Sequence, residues 1–274
     1  VLRKVGSAPT STPVDGTAYT TTVGTDAVVY NGAATTFPQT GLTQNTTYFY
    51  AVYAYNGSGT SLNYRVTTPL QGSQLTQISP PASAPTGLLF SNVTASSISV
   101  AFTAATGSPS GYLVVRKAGL SSTFAPQPNT LYTTEQVLSD GAVAYVGSSL
   151  NFIDNSLLAN TTYFYDVFAY NQLGSQIGYQ SVAPLEGSRS TLAAEPATQP
   201  TSITFSSLAA TGFTVSYTAA TGSPSGYLAV RSTSATPVFV PVDGTTYSAG
   251  TQGSEFISFI GAGNLFAETG LSTN

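Results

Sequence analysis

The sequence predicts an all-β protein, a tandem array of β-sandwiches without helix, and three observations carry that prediction. The first is Asn45–Asn56, NTTYFYAVYAYN, which returns at Asn160–Asn171 as NTTYFYDVFAYN with ten of twelve positions identical. Alternation of this kind, rich in Tyr, Phe and Val and bounded by Asn, is the pattern of a half-buried strand. Tyr48, Tyr50, Val52 and Ala54 then share one face, and Phe49, Ala51, Tyr53 and Tyr55 the other. The second is a domain-length internal repeat, and the third is a series of short strand-like runs separated by Gly, Pro and Asn.

The repeat has a fixed period. Thr103–Arg116, TAATGSPSGYLVVR, reappears as Thr218–Arg231, TAATGSPSGYLAVR, and both this pair and the Asn45/Asn160 pair lie 115 residues apart. A third landmark sets the ends. VDGTAY at 14–19 matches VDGTTY at 242–247, and Arg3 matches Arg231, both at an offset of 228 residues. With a slip of one residue the match continues from Phe37 to Phe266 and from Thr40-Gly41-Leu42 to Thr269-Gly270-Leu271. The expected modules are therefore residues 1–78, lacking the N-terminal strands, residues 82–193, complete, and residues 197–274, lacking the C-terminal strands. A third NTTYFY is due to begin at Asn274, so the chain is expected to be a segment of something longer. Thr76–Ala84 and Thr191–Gln199 contain proline and are expected to be semi-rigid joints.

The complete module supplies its elements in order. Pro85–Phe90 opens it. Ser97–Phe102, SISVAF, alternates so that Ile98, Val100 and Phe102 share a face. The loop 104–111 carries Gly107, Pro109 and Gly111, all turn formers. Tyr112–Arg116 is a strand, and a long excursion over Lys117–Asp140 follows without helical periodicity. Ala142–Val146, Asn151–Ile153 and the strand around Tyr163 come next. Gln176–Ser188, interrupted by Pro184, is placed at an edge, because proline cannot donate to a ladder. About seven short strands in roughly 110 residues is the pattern of a sandwich.

Composition narrows function. Of 274 residues only 7% are charged, the net charge is −4, and the chain has no Cys, His, Met or Trp. Seven scattered basic residues make no footprint for nucleic acid, whose phosphates need clustered Lys and Arg. No apolar run approaches the ~20 residues of a membrane-spanning helix, so membrane insertion is not expected of this segment. Histidine-dependent triads, zinc sites with His or Cys ligands and thiol chemistry have no residues to run on. No catalytic residue, cofactor or metal is therefore expected. Asp15, Asp140 and Asp243 fall in Asp-Gly turns; Asp140 and Asp154 with loop carbonyls are a weak Ca²⁺ candidate without the D-x-D-x-D spacing.

ISVAFTAATGSPSGYLVVR followed by LLANTTYFYDVFAYNQLG resembles a fibronectin type III domain, an immunoglobulin-like sandwich. Leu157, Thr161, Tyr163, Val167, Ala169 and Asn171 fill that family's L-x-x-x-T-x-Y-x-x-x-V-x-A-x-N pattern, as do Leu42, Thr46, Tyr48, Val52, Ala54 and Asn56. The resemblance implies that Tyr48 and Tyr163 are the tyrosine corners of their modules. It covers essentially the whole chain, with two departures: Phe102 or Tyr217 stands where the family has a core Trp, and the excursion lengthens the period. This variant is similar to modules of large secreted and cell-surface proteins of Bacteroidota. That implies an extracellular stalk, adhesin or filament component whose partners are other modules of the same longer chain, surface glycans, or other copies and cell-surface proteins. The alternative is a carbohydrate-binding array attached to a secreted glycan-active enzyme.

Several residues have two readings. Arg3, Arg116 and Arg231 end the same strand in each module, as partners of a loop carboxylate or as ligand contacts. The outward aromatics Tyr53, Tyr55, Phe168 and Tyr170 either stack sugars or shield neighbouring strands as cross-strand pairs. The Asn-x-Thr sequences at Asn45, Asn92 and Asn160 serve as turn residues or as glycosylation acceptors.

Overall fold

The computed structural model describes residues 1–233 and 236–272. Asn274, where a third NTTYFY is due to begin, lies outside the described residues. Among them there is no α-helix, only strands and one 3₁₀ turn at Gly59–Ser61. The chain divides into two compact units, one of residues 1–91, 99–154 and 162–189, the other of residues 92–98, 155–161 and 190–274.

The N-terminal repeat consists of β1 (Leu2–Val5), β2 (Thr22–Val23), β3 (Asp26–Val28), β4 (Thr47–Val52), β5 (Tyr55–Asn56), β6 (Asn63–Tyr64) and β7 (Leu70–Leu75). Five of these form one antiparallel sheet in the order β2-β3-β1-β4-β7, and β5-β6 is a separate hairpin. The Thr47–Val52 part of NTTYFYAVYAYN thus lies inside the sheet, with Tyr48 opposite Val5 and Ala51 opposite Leu2, but the expected single strand breaks at Tyr53 and Ala54, and Tyr55–Asn56 join the hairpin instead.

The middle repeat consists of β8 (Thr86–Ser91), β9 (Ile98–Thr103), β10 (Gly111–Ala118), β11 (Val137–Leu138), β12 (Gly141–Gly147), β13 (Asn151–Asp154), β14 (Thr162–Leu173), β15 (Gln176–Tyr179) and β16 (Leu185–Ser190). They make two layers, a three-stranded sheet β13-β9-β8 and a larger sheet β11-β12-β10-β14-β15 whose β14 also pairs with β16. Ile98, Val100 and Phe102 alternate inward from β9, and the Phe90 ring lies 5.4 Å from Tyr165 across the two layers. Burying one face of each sheet against the other supplies the hydrophobic stabilisation that neither sheet has alone.

One sequence expectation is corrected here. The Tyr163 strand is not half-buried. From Tyr165 to Ala169 every residue of β14 is buried, on both faces. The cover on the outer face comes from the excursion 117–140, which folds back over the sheet. Its Tyr132, with Phe124 and Leu138, packs on Leu113, Val115, Phe168, Ile177 and Tyr179 as a second apolar cluster.

The C-terminal repeat consists of β17 (Thr201–Ala209), β18 (Gly212–Thr218), β19 (Tyr227–Arg231), β20 (Gly250–Gln252), β21 (Glu255–Gly261) and β22 (Leu265–Glu268). Its sheets are β17-β18-β22 and β19-β21-β20.

Candidate functional site

Tyr48 and Tyr163, the expected corner tyrosines, lie on β4 and β14; Phe168 and Tyr170 share β14, whereas Tyr53 and Tyr55 lie beyond the end of β4. Tyr48 is buried, and its hydroxyl accepts the Thr43 N–H at 2.9 Å. Tyr163 is buried at the matching position of β14. Just ahead of each corner the chain turns at Asn45 and Asn160, with φ of 48° and 50°. Asn92 has φ 45°. Asparagine tolerates this left-handed region better than other side-chain-bearing residues, which gives all three Asn-x-Thr sequences a turn role. A threonine then clips each corner shut. The Thr76 hydroxyl donates to Thr43 O at 2.6 Å and accepts Thr46 N–H at 3.0 Å; Thr191 does the same for Leu158 O at 2.7 Å and Thr161 N–H at 3.0 Å.

A second tyrosine device was not singled out from the sequence. Tyr19, Tyr132 and Tyr247 accept the N–H of Val14, Gln127 and Val242, each five residues earlier, at 3.2, 3.0 and 2.9 Å. The repeated VDGTxY was the available signal for Tyr19 and Tyr247, while Tyr132 sits in QPNTLY without the Asp-Gly. In the two VDGTxY copies the tyrosine closes the loop that the Asp-Gly opens.

The acidic residues are likewise used inward, at equivalent places. The carboxylate of Asp26 accepts the N–H of Thr10 and Ser11 at 2.9 and 2.8 Å; Asp140 accepts Thr123 N–H at 2.7 Å; Glu255 accepts Val238 and Phe239 N–H at 2.6 Å each. Each clamps the start of its excursion. Burial alone would raise the Asp26 pKa, but the bonds from Ser11 and Thr10 and the charge of Lys4 outweigh it and hold it below the usual value. Lys117, paired with Asp140, and the two Thr123 bonds bring Asp140 down to about 2.

Each recurring arginine faces a polar side chain at the same repeat position, although the buried Arg231 Nε makes no hydrogen bond. Arg3 Nη1 donates to Gln39 Oε1 at 2.9 Å, Arg116 pairs with buried Asp154 and with Glu135 at 2.9 Å, and Arg231 Nε lies 3.5 Å from Glu268. The Tyr165 hydroxyl donates to Asp154 Oδ2 at 2.8 Å, and burial followed by the Asp154 charge pushes its pKa up. Asp140 and Asp154, the weak Ca²⁺ candidates, are held by different partners, Lys117 and Arg116, and no group of three or more potential metal-ligating side chains exists among the described residues.

The four outward aromatics separate. Phe168 is 1% exposed, which corrects its assignment as ligand-facing: the excursion covers it. Tyr170 packs 5.5 Å from Tyr179 and lies over its cross-strand partner Gly111, where a Cβ would come 2.5 Å from its hydroxyl oxygen. Tyr53 is half-buried and donates to Ser11 O at 3.2 Å. Tyr55 remains the exposed member. It donates to Asn31 Oδ1 at 2.7 Å and lines an open groove of about 540 Å³ with Tyr19, Tyr30, Phe37 and Tyr64. The Tyr30–Phe37 stack in that groove, with centroids 4.6 Å apart, recurs as Tyr145–Phe152 and Phe259–Phe266, both at 4.9 Å.

One titratable group stands apart. Asp166 occupies the position of Ala51 in the first copy and is buried. Burial raises its pKa to about 6, with Glu186 and Asp140 adding to the rise and the Ser122 hydroxyl opposing it.

No family model matches the chain, and no curated protein matches it. Solved structures to which it is similar include a fibronectin type III domain of human collagen XX, at 21% identity over 42% of this chain and 99% of that one, TM-score 0.27. A two-domain fibronectin type III segment of chicken tenascin is 17% identical over 70% of this chain and 85% of that one, TM-score 0.30. Domains d3–d4 of the rat CD45 extracellular region are 17% identical over 68% and 86%, TM-score 0.29.

Proposed function

We propose that the chain is a non-catalytic spacer segment of a larger secreted or surface-anchored bacterial protein, serving as a stalk, adhesin or extracellular filament component. One observation carries this reading: what the repeats share is bonded inward. The tyrosines at 19, 132 and 247 and the carboxylates at 26, 140 and 255 each close the same loop in their own repeat, and the arginines at 3, 116 and 231 each lie against the side chain at one equivalent position. Residues repeated for binding would point outward.

The joint after the first repeat adds support. Asn171 Nδ2 of β14 donates to Ser79 O at 3.0 Å, and the joint backbone passes so close to Gly178 of β15 that a Cβ there would meet Ile78 O at 2.8 Å, so the joint is bonded to β14 and packed on β15. A tied joint transmits orientation; a free one does not. Small-angle X-ray scattering of the chain tests the reading. A rod-like profile is expected, and a compact or freely flexible one counts against a spacer.

A second reading, carbohydrate binding, is favoured by the tyrosine-lined groove beside Tyr55 alone, since aromatic faces can stack on sugar rings. Glycan-array binding that disappears in Tyr55→Ala would establish it, and absence of binding would remove it.

A further inference from the structure

The joint of residues 76–84 is bonded at both ends. The Thr76 hydroxyl holds its start to the first repeat, and the Ser83 hydroxyl holds its end to the middle repeat by accepting the Thr106 N–H at 3.0 Å. Both end bonds recur in the next joint, at Thr191 and at Thr198, whose hydroxyl accepts the Thr221 N–H at 2.9 Å. Between its ends the first joint carries a tie that does not recur. Ser79 N–H donates to Gln44 Oε1 at 2.7 Å, and Ser79 O accepts Asn171 Nδ2 at 3.0 Å, so one residue is held by both repeats. One period of 115 residues further on, Ala159 and Ala194 stand for Gln44 and Ser79, and alanine has no amide to accept the first of these bonds.

The middle repeat meets the joint with a cross-strand pair. Asn171 of β14 lies opposite Gly178 of β15. Asn171 supplies the donor, and Gly178 supplies the space. A Cβ at Gly178 would come 2.8 Å from Ile78 O, 3.0 Å from Pro80 N and 3.2 Å from Ser79 C. All three are backbone atoms, which cannot swing aside as the end of a side chain can. Gly178 has no left-handed φ, so the strand itself does not call for glycine there. Glycine inside a strand marks the close approach of another backbone, and here that backbone is the joint. In the first repeat the same cross-strand pair is Asn56 and Asn63. The donor is kept, but Asn63 carries a Cβ where Gly178 has none.

We propose that Asn171 and Gly178 form a seat specific for the joint segment of residues 78–81, Ile-Ser-Pro-Pro, and that this seat fixes the first repeat against the middle one. Pro80 and Pro81 have fixed φ and no N–H, so the segment reaches the seat already extended and offers it carbonyl oxygens only. Proline by itself makes a spacer semi-rigid. The ties of Ser79 to Gln44 and Asn171 turn that spacer into a fixed elbow, and the residue at position 178 decides whether a repeat accepts it: glycine admits the segment and asparagine, as at Asn63, refuses it. The use of such a seat rests on the spacer reading, since only a repeat that carries load or position needs a set angle to its neighbour.

The full chain tests this by pulsed dipolar spectroscopy. It has no cysteine, so spin labels attach only at two introduced sites, Thr25→Cys in the turn between β2 and β3 and Ser148→Cys after β12. The expected parent result is one narrow distance distribution. Gly178→Asn should widen it at least twofold, with amide exchange in β10 and β12 unchanged. Asn171→Ala adds no atom to the seat and should widen it as well, which keeps the test independent of any effect of the larger residue on β15. A parent distribution as wide as those of the variants, or an unchanged width in either variant, would overturn the seat. A rod-like scattering profile of the parent, the mark of a spacer, would stand in the second case.

Discussion

Replacing Asp166 by alanine should stabilise the middle sandwich at neutral pH, and the size of the gain follows from its surroundings. The carboxyl is 4% exposed, and its pKa stands at about 6 in the folded chain, against about 3.9 for an unperturbed Asp. Between those values the folded state holds more protons than the unfolded state, so stability falls as pH rises from about 4 to about 6. Two pK units correspond to about 2.7 kcal/mol. Partial solvent screening, and the small void left by losing a carboxylate, reduce the expected gain for Asp166→Ala at pH 7 to about 1–2 kcal/mol. Alanine is tolerated sterically at this position, since Ala51 occupies it in the first copy and is fully buried. The assay is native-state amide exchange of Val114 and Val167 in graded urea, at pH 4 and pH 7, which reports on this sandwich alone. The variant should exceed the parent at pH 7 and fall level with or below it at pH 4. A difference independent of pH, or of opposite sign at pH 7, would refute the reasoning.

Other substitutions probe the repeated bonds. Tyr132→Phe removes the acceptor of the Gln127 N–H and should cost about 1 kcal/mol, read from exchange across the excursion. Arg116→Ala leaves Asp154 buried without its cation and should cost about 3–5 kcal/mol, most of it recovered in the double variant Arg116→Ala/Asp154→Ala. Asp140 works in the opposite pH direction to Asp166. Its folded pKa lies below the unfolded one, so its contribution is present above pH 4 and is lost as pH falls towards 2. Asp140→Asn should flatten that acid limb in urea titrations between pH 4 and pH 2.

The all-β class, the strands and the inward face of β9 were legible because alternation with period two survives in Ile98, Val100 and Phe102. The outer cover of β14 was not. It is built by residues 117–140, which have no periodicity and are held by point contacts such as Tyr132 on Gln127 and Asp140 on Thr123. Period-two reasoning therefore assigned Phe168 to a free face that a loop in fact occupies. The arginine acceptors were hidden for another reason. Gln39, Asp154 and Glu268 differ in residue type, so the repeat preserves a polar side chain facing the arginine but not the letter. Asp166 was visible as one of only two mismatches between the NTTYFY copies, but its burial depended on that same loop.

If the repeats are mechanical spacers, the middle sandwich must unfold cooperatively under load. Stretching the chain by its two ends in a single-molecule force measurement tests this most directly. Its roughly 110 residues, at about 3.5 Å each when extended, predict a discrete event that releases on the order of 350 Å of chain. Smooth lengthening without that event would contradict the spacer reading.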